Sequence, residues 1–349
     1  AWLIIESGSK DTTEVLALPA DQPETPLVCL HAREPGVEVS IDHRPGGFYR
    51  LHNQTGPHFQ LDMRAESDNA SWQPLIAHRD DATLEGVDAF EWGLILAERS
   101  HQDAQVLLRR LELDSHHQTL LDSYIDLPET PCSQLLEDSP HFNARTLHLR
   151  EESFTRPPSW YALDLDSGVR TLLKQVPVHG SLAPEQLVSR RIWATSHDGE
   201  QVPVSVVMRA DLAGQPQPTL LYGYGAYGEA LDPWFSIARL ELLERGVAFA
   251  VAHVRGGGER GEPWYLAGKM AHKENSFHDF LAAREALVAT HISQPERIVA
   301  CGASAGGLLV GTCINRAPEA FCAAVLDVPF LDVLRTMQNP ELPLTTAEY

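Results

Sequence analysis

The sequence predicts part of a β-propeller, about four blades over residues 1–180, followed by part of an α/β-hydrolase domain over residues 181–349. Three observations predict it. Short alternating strands recur with a long period through the first half. Apolar strands alternate with helices in the second half, a pattern that requires a mostly parallel sheet covered on both faces. Finally, Gly302-Ala303-Ser304-Ala305-Gly306-Gly307 follows the apolar run 297–301, giving a strand, a sharp turn with a hydroxyl at its apex and a helix start.

In the first half, 38–42, 59–63 and 106–113 alternate apolar and polar residues. Aromatic-led strands begin at Trp2, Phe48 and Trp92, in steps of 46 and 44 residues. Two or three further strands follow each, and a later unit runs from Arg145 through Trp160 to Leu173. A four-stranded unit of ~40–50 residues has the size of a propeller blade, with a sandwich as the competing architecture. The first blade is expected to be incomplete. The pattern changes near His179-Gly180. A hairpin is expected over 187–194 and 202–208, turned at 196–199. Strands then follow at 219–222, 247–254, 297–301 and 323–328, with helices at 233–245, 277–290 and 307–315. Phe277, Phe280, Leu281, Leu287 and Val288 form one stripe on the second helix, and Ser276 and Asp279 have capping-box spacing.

Composition narrows the function. Hydrophobic content of 43% with 21% charged residues describes a soluble globular chain. A balance of 27 Lys+Arg against 48 Asp+Glu gives −21, which leaves no basic face for nucleic acid. The negative field favours cationic substrates, although most of these charges serve solubility. Five cysteines, odd in number and without metal-type pairing, point to a reducing compartment, hence the cytoplasm. No stretch is long and apolar enough to span a membrane. The histidines lack ligand spacing, so no metal is expected, and no cofactor either. The chain opens on Ala1 and runs at once into the strand-like Trp2-Leu3-Ile4-Ile5, so the natural N-terminus is expected to be missing.

The chemistry centres on Ser304. Gly302 and Gly306 let strand and helix approach, and the helix that follows points its positive end at the hydroxyl. The competing reading is a glycine-rich turn with Ser304 as an ordinary N-cap. This fold takes its triad in the order Ser, acid, His, yet all 16 histidines precede Ser304. Asp327 comes too early for the acid, and Asp332 is no better candidate. Gly223-Tyr224-Gly225-Ala226-Tyr227-Gly228 mimics a dinucleotide fingerprint. The following strand, however, ends in His253-Val254-Arg255, where a ribose-binding acid is wanted. The segment reads instead as a loop beside the nucleophile. There the Tyr224 hydroxyl and the Ala305 N–H can donate to an oxyanion, each donor worth on the order of 3 kcal/mol in the transition state. Arg255-Gly256-Gly257-Gly258-Glu259 can serve a phosphate or a substrate or be a flexible structural loop with an Arg–Glu pair, and Asp232-Pro233 reads as an N-cap followed by N1.

Together these motifs resemble the prolyl oligopeptidase family of serine peptidases, most closely its oligopeptidase B branch. The resemblance rests on Leu221-Tyr222-Gly223-Tyr224-Gly225, on 255–259, on 302–309, on Arg316-Ala317-Pro318-Glu319, on Val328-Pro329-Phe330 and on Pro343-Leu344-Thr345-Thr346. It implies Ser304 as nucleophile, with Tyr224 and the Ala305 N–H as oxyanion donors, beneath a propeller that admits only short peptides. It also implies cleavage after Arg or Lys, with Glu348 matching one of the acids that read that cation. Asp232 matches an acid of a neighbouring subsite, whose partner position holds Trp234 here. The triad Asp and His, and the earliest blades, are implied to lie beyond the two ends. Three activities follow: a serine oligopeptidase acting on short basic peptides, its 349-residue piece inactive; an esterase or exopeptidase of the same fold; or a non-catalytic propeller module.

Overall fold

The computed structural model describes residues 1–349 except 68, 69, 130, 139, 140, 180, 181, 340, 343–345 and 347. Gly180, where the pattern changes, and Pro343-Leu344-Thr345 with Ala347 lie outside the described residues, as does Asn69 of the chance sequon Asn69-Ala70-Ser71.

Among the described residues the first half folds as four successive antiparallel sheets, each joined in simple meander order. The first has three strands, Trp2–Gly8, Thr13–Pro19 and Val28–His31, and the other three have four each. Phe48 and Trp92 mark the second strand of their sheets, Gly47–His52 and the hairpin into Gly93–Ser100, so the aromatic period tracks one structural position. Apolar clusters form between consecutive sheets. Val15, Ala17 and Leu30 meet Val39, Ile41 and Phe48. Tyr49, Leu51 and Leu61 meet Leu84, Leu94 and Leu96. Phe90, Ile95 and Leu108 meet Leu147, Leu149 and Leu163. Sheets stacked face to face in chain order are propeller blades.

The second half is one six-stranded sheet in the spatial order Leu187–Thr195, Gln201–Arg209, Ala248–Ala252, Thr219–Gly223, Ile298–Ala303, Ala323–Asp327. The first two pairings are antiparallel and the remaining three parallel. Alternation along each strand separates the two faces. Val204, Val206, Ala250 and Ala252 pack under the helices Glu274–Ala289 and Ala305–Arg316 through Phe280, Leu287, Leu309 and Val310. Val207, Phe249 and Val251 pack on the opposite face against Leu240 and Leu243 of the helix Ile237–Glu244 and against Phe154 of the last blade. The predicted stripe on the second helix is buried at Phe277, Phe280 and Leu287.

Several local expectations are corrected. The first helix begins at Ile237 with Ser236 as its cap, the hydroxyl accepting from Arg239 N–H, so Asp232-Pro233 lies upstream of it. Ser276 and Asp279 lie inside the helix Glu274–Ala289 and form no capping box. The histidines, scattered in sequence, are not all scattered in space. His58, His78 and Asp80 each bring a ligand-type atom within 4.8 Å of the others, because blade register gathers loops some 20 residues apart.

Candidate active site

Ser304 stands between the strand Ile298–Ala303 and the helix Ala305–Arg316 at φ 52° and ψ −115°. That backbone region is unfavourable for a residue with a Cβ, at about 1–3 kcal/mol. Three backbone hydrogen bonds hold it there. Ser304 N–H donates to Asp327 C=O at 3.0 Å, and Ser304 C=O accepts from Gly307 N–H and Phe330 N–H, both at 2.9 Å. The hydroxyl is exposed and makes no capping bond, contrary to the ordinary N-cap reading. Glycine at 302 and 306 is a steric requirement: an added Cβ would lie 2.1 Å from Gly306 C=O in one case and 2.4 Å from Gly223 C=O in the other. Ala305 opens the helix, so its N–H has no acceptor within it and faces outward.

Tyr224 leaves the end of the neighbouring parallel strand Thr219–Gly223. A Cβ on Gly306 would come within 3.4 Å of Tyr224 Cα, so this loop lies directly against the elbow. Burial, with smaller contributions from nearby Tyr227 and Glu229, raises the Tyr224 pKa and keeps the phenol protonated, the state in which it donates. The 255–259 segment supports this loop from behind. Gly228 N–H donates to Gly256 C=O at 3.1 Å, and a Cβ on Gly256 would sit 2.3 Å from Gly225 C=O. The glycine run is thus a backbone-to-backbone packing surface. The expected Arg–Glu pair is replaced by other partners. Arg255 Nη2 and Nε donate to Asp279 at 2.7 and 2.9 Å and Nη1 to Asp198 at 2.5 Å, while Glu259 accepts from Leu231 N–H at 3.0 Å and faces His253 at 3.3 Å. Burial lowers the Arg255 pKa, but its two carboxylate partners hold it above the ordinary arginine value; Arg255 in turn draws Asp198 down to about 2.

Glu348 joins the same loop. Its carboxylate is fully buried and accepts from Tyr227 N–H at 2.9 Å and from the Tyr265 hydroxyl at 2.7 Å. Beside it, burial pushes Lys273 down to about 8 against the opposing pull of Glu348, and the Lys273 ammonium donates to Gly225 C=O. Tyr227 and Tyr265 line a cavity of about 610 Å³ between the two halves of the chain, with Lys10, Glu38 and Glu85 on its propeller side. Asp232 does not share this environment freely. Arg99 of the third blade grips it at 2.7 and 2.9 Å and also holds Glu85 at 2.5 Å. Ser304, Ala305, Tyr224 and Glu348 therefore cluster around one loop system, whereas Asp232 is spent on an ion pair between the halves. Tyr227 and Tyr265 escaped the sequence reading; Tyr227 lies in the glycine-rich motif, and Tyr265 carries no sequence signal.

An elbow of this geometry on a sheet of this order defines an α/β-hydrolase domain, here joined to a β-propeller. The model of the prolyl oligopeptidase family matches residues 233–349, and that of the prolyl oligopeptidase N-terminal β-propeller domain matches residues 1–176. The chain belongs to the prolyl oligopeptidase family of serine peptidases. It is 37% identical over 354 residues to dipeptidyl aminopeptidase BI of Pseudoxanthomonas mexicana, covering 100% of this chain and 48% of that protein. It is 34% identical over 349 residues to protease 2 of Moraxella lacunata, covering 100% and 49%. Oligopeptidase B from Trypanosoma brucei with covalently bound antipain, in its closed form, superposes with a TM-score of 0.89 at 33% identity, covering 100% of this chain and 51% of that one. The chain spans about half the length of the relatives it matches.

Proposed function

We propose that this chain carries the nucleophile and oxyanion donors of a cytoplasmic serine oligopeptidase that cleaves short peptides after Arg or Lys. The observation that supports this most is the exposed hydroxyl of Ser304 on a strained turn packed against the Tyr224 loop. In the reaction, Ser304 Oγ attacks the scissile carbonyl and passes its proton to a histidine base. The oxyanion accepts from the Tyr224 hydroxyl and the Ala305 N–H, and the acyl-enzyme is then hydrolysed. This fold takes its histidine after the nucleophile, and all 16 histidines here precede Ser304, which supports a base supplied from outside these residues. The 349-residue chain alone is accordingly expected to turn over slowly or not at all, with residual rate only from the oxyanion site and binding. The buried Glu348 carboxylate, set behind Tyr227 and Tyr265, suits a cationic side chain. No described helix is long and apolar enough to cross a membrane, and all five cysteines are free, in keeping with a reducing compartment.

A second reading has its own support, since one relative is named a dipeptidyl aminopeptidase. Comparing N-terminally blocked peptides with free dipeptides, each carrying an Arg amide, separates the two. Faster cleavage of blocked substrates supports the endopeptidase. Cleavage confined to free amino termini supports the exopeptidase, and a preference for simple acyl esters with no action on Arg amides overturns both. Wild-type-like turnover of an Arg ester by the isolated chain would refute the view that it lacks its base.

A further inference from the structure

A chain of hydrogen bonds in the propeller ends on a bare imidazole nitrogen. His101 Nδ1 lies 3.0 Å from Asp80 C=O, which can only accept, so Nδ1 carries the proton and His101 Nε2 is an acceptor. The Thr83 hydroxyl, 2.8 Å away, therefore donates to His101 Nε2. Its oxygen, 3.0 Å from His58 Nδ1, accepts from that nitrogen in turn. His58 is thereby fixed as the Nδ1–H tautomer, with its Nε2 lone pair free. His58 is 5% exposed, its backbone carbonyl accepts from Leu84 N–H at 3.1 Å, and its ring packs on His101 with centroids 4.5 Å apart.

The second imidazole is His78, stacked on His58 with ring centroids 5.3 Å apart. Its Nε2 is buried against Gly56, which leaves Nδ1 as the ring nitrogen turned toward Asp80. Asp80 supplies a third group, an exposed carboxylate 4.0 Å from His78 Nδ1. The ligand-type atoms of His58, His78 and Asp80 lie within 4.8 Å of one another, so sub-ångström to ångström side-chain adjustments bring them around one ion.

We propose that His58, His78 and Asp80 form a binding site for a late first-row divalent cation such as Zn²⁺ or Co²⁺, completed by water. Two neutral imidazoles and one carboxylate are the donor set such ions take. The Thr83–His101–Asp80 carbonyl relay supplies the outer-shell bond that orients a ligating imidazole. The site sits on the seam with the hydrolase half: a Cβ on Gly261 would lie 2.8 Å from Thr83 Oγ1 and 3.0 Å from His58 Cε1. A cation here ties the loop carrying His58 to the loop carrying His78 and Asp80 beneath the hydrolase half.

Titration of the intact metal-free protein with Co²⁺, read by visible absorption, tests the site, with competition by Zn²⁺ giving the affinity. The expected result is one saturable nitrogen–oxygen ligand-field band per chain. It should weaken at least tenfold in affinity in His78→Gln and in Asp80→Asn, and stay unchanged in His116→Gln, an exposed histidine elsewhere. Asp80 is exposed, so Asp80→Asn leaves folding intact, and circular dichroism without metal confirms it for each variant. Absence of a saturable band, equal affinity in all variants, or a near-ultraviolet thiolate band assigning the ion to the exposed Cys29 or Cys322 overturns the proposal.

Discussion

Ser304 occupies backbone that a side chain disfavours, and what holds it is visible at the level of single contacts: three backbone hydrogen bonds and two glycines whose missing Cβ atoms make room. Tyr224 is kept protonated by burial and lies on the adjacent loop. In the intact peptidase, Tyr224→Phe should lower kcat by about 10²-fold, the equivalent of ~3 kcal/mol, with KM little changed. A KM effect with kcat intact would place the phenol in ground-state binding instead. Lys273 makes a second prediction. Its folded-state pKa is about 8, below the 10.5 of the free side chain, so between those values the unfolded chain holds more protons. Stability contributed at this position therefore rises as pH goes from about 8 to 10.5, by up to ~3 kcal/mol. Urea unfolding of wild type against Lys273→Met across that range should show the wild type gaining on the variant; parallel curves would mean the amine is not buried as described.

At the scale of elements, the alternating strands and helices were legible because apolar period and turn residues act locally. The mostly parallel sheet and the elbow followed from them, whereas the order of strands across the sheet did not. Misreadings arose where a long-range partner outcompeted a local one. Ser276 and Asp279 have capping-box spacing, but the Ser276 hydroxyl donates to Arg255 C=O at 2.6 Å and Asp279 binds Arg255 across 24 residues. Helix Glu274–Ala289 is therefore pinned to the Arg255 loop and, through Asp198 and Ser196, to the hairpin turn. Asp279 is fully buried, so Asp279→Asn removes the buried one of Arg255's two carboxylate partners and leaves Asp198 alone to compensate it. The expected loss is about 2–3 kcal/mol in denaturant unfolding, and a loss below 1 kcal/mol would contradict that role. The N-cap reading of Asp232 failed for the same reason, because no local pattern announces Arg99 as its partner.

For the molecule as a whole, the two halves meet through the Phe154 cluster and through Arg99, which joins Glu85 of the propeller to Asp232. Arg99 is 5% exposed in its side chain and its grip on Asp232 is bidentate, which makes the pair stronger than a surface bridge. Removing it in Arg99→Ala should favour opening, so that limited proteolysis of the 177–186 connection speeds up about tenfold. An unchanged cleavage rate would show that Arg99 does not hold the seam, leaving it to the apolar cluster and to contacts such as Phe235 N–H to Glu152. The meeting of halves was invisible in the sequence beyond the change of pattern near residue 180, since neither strand period nor helix stripe encodes which blade faces which loop.

The most direct test of the account is fluorophosphonate labelling of the natural protein, read by peptide mass mapping. The account predicts a single adduct on Ser304, abolished in Ser304→Ala and formed far more slowly in Tyr224→Phe. An adduct on another residue, or none at all while the protein still cleaves Arg amides, would contradict it.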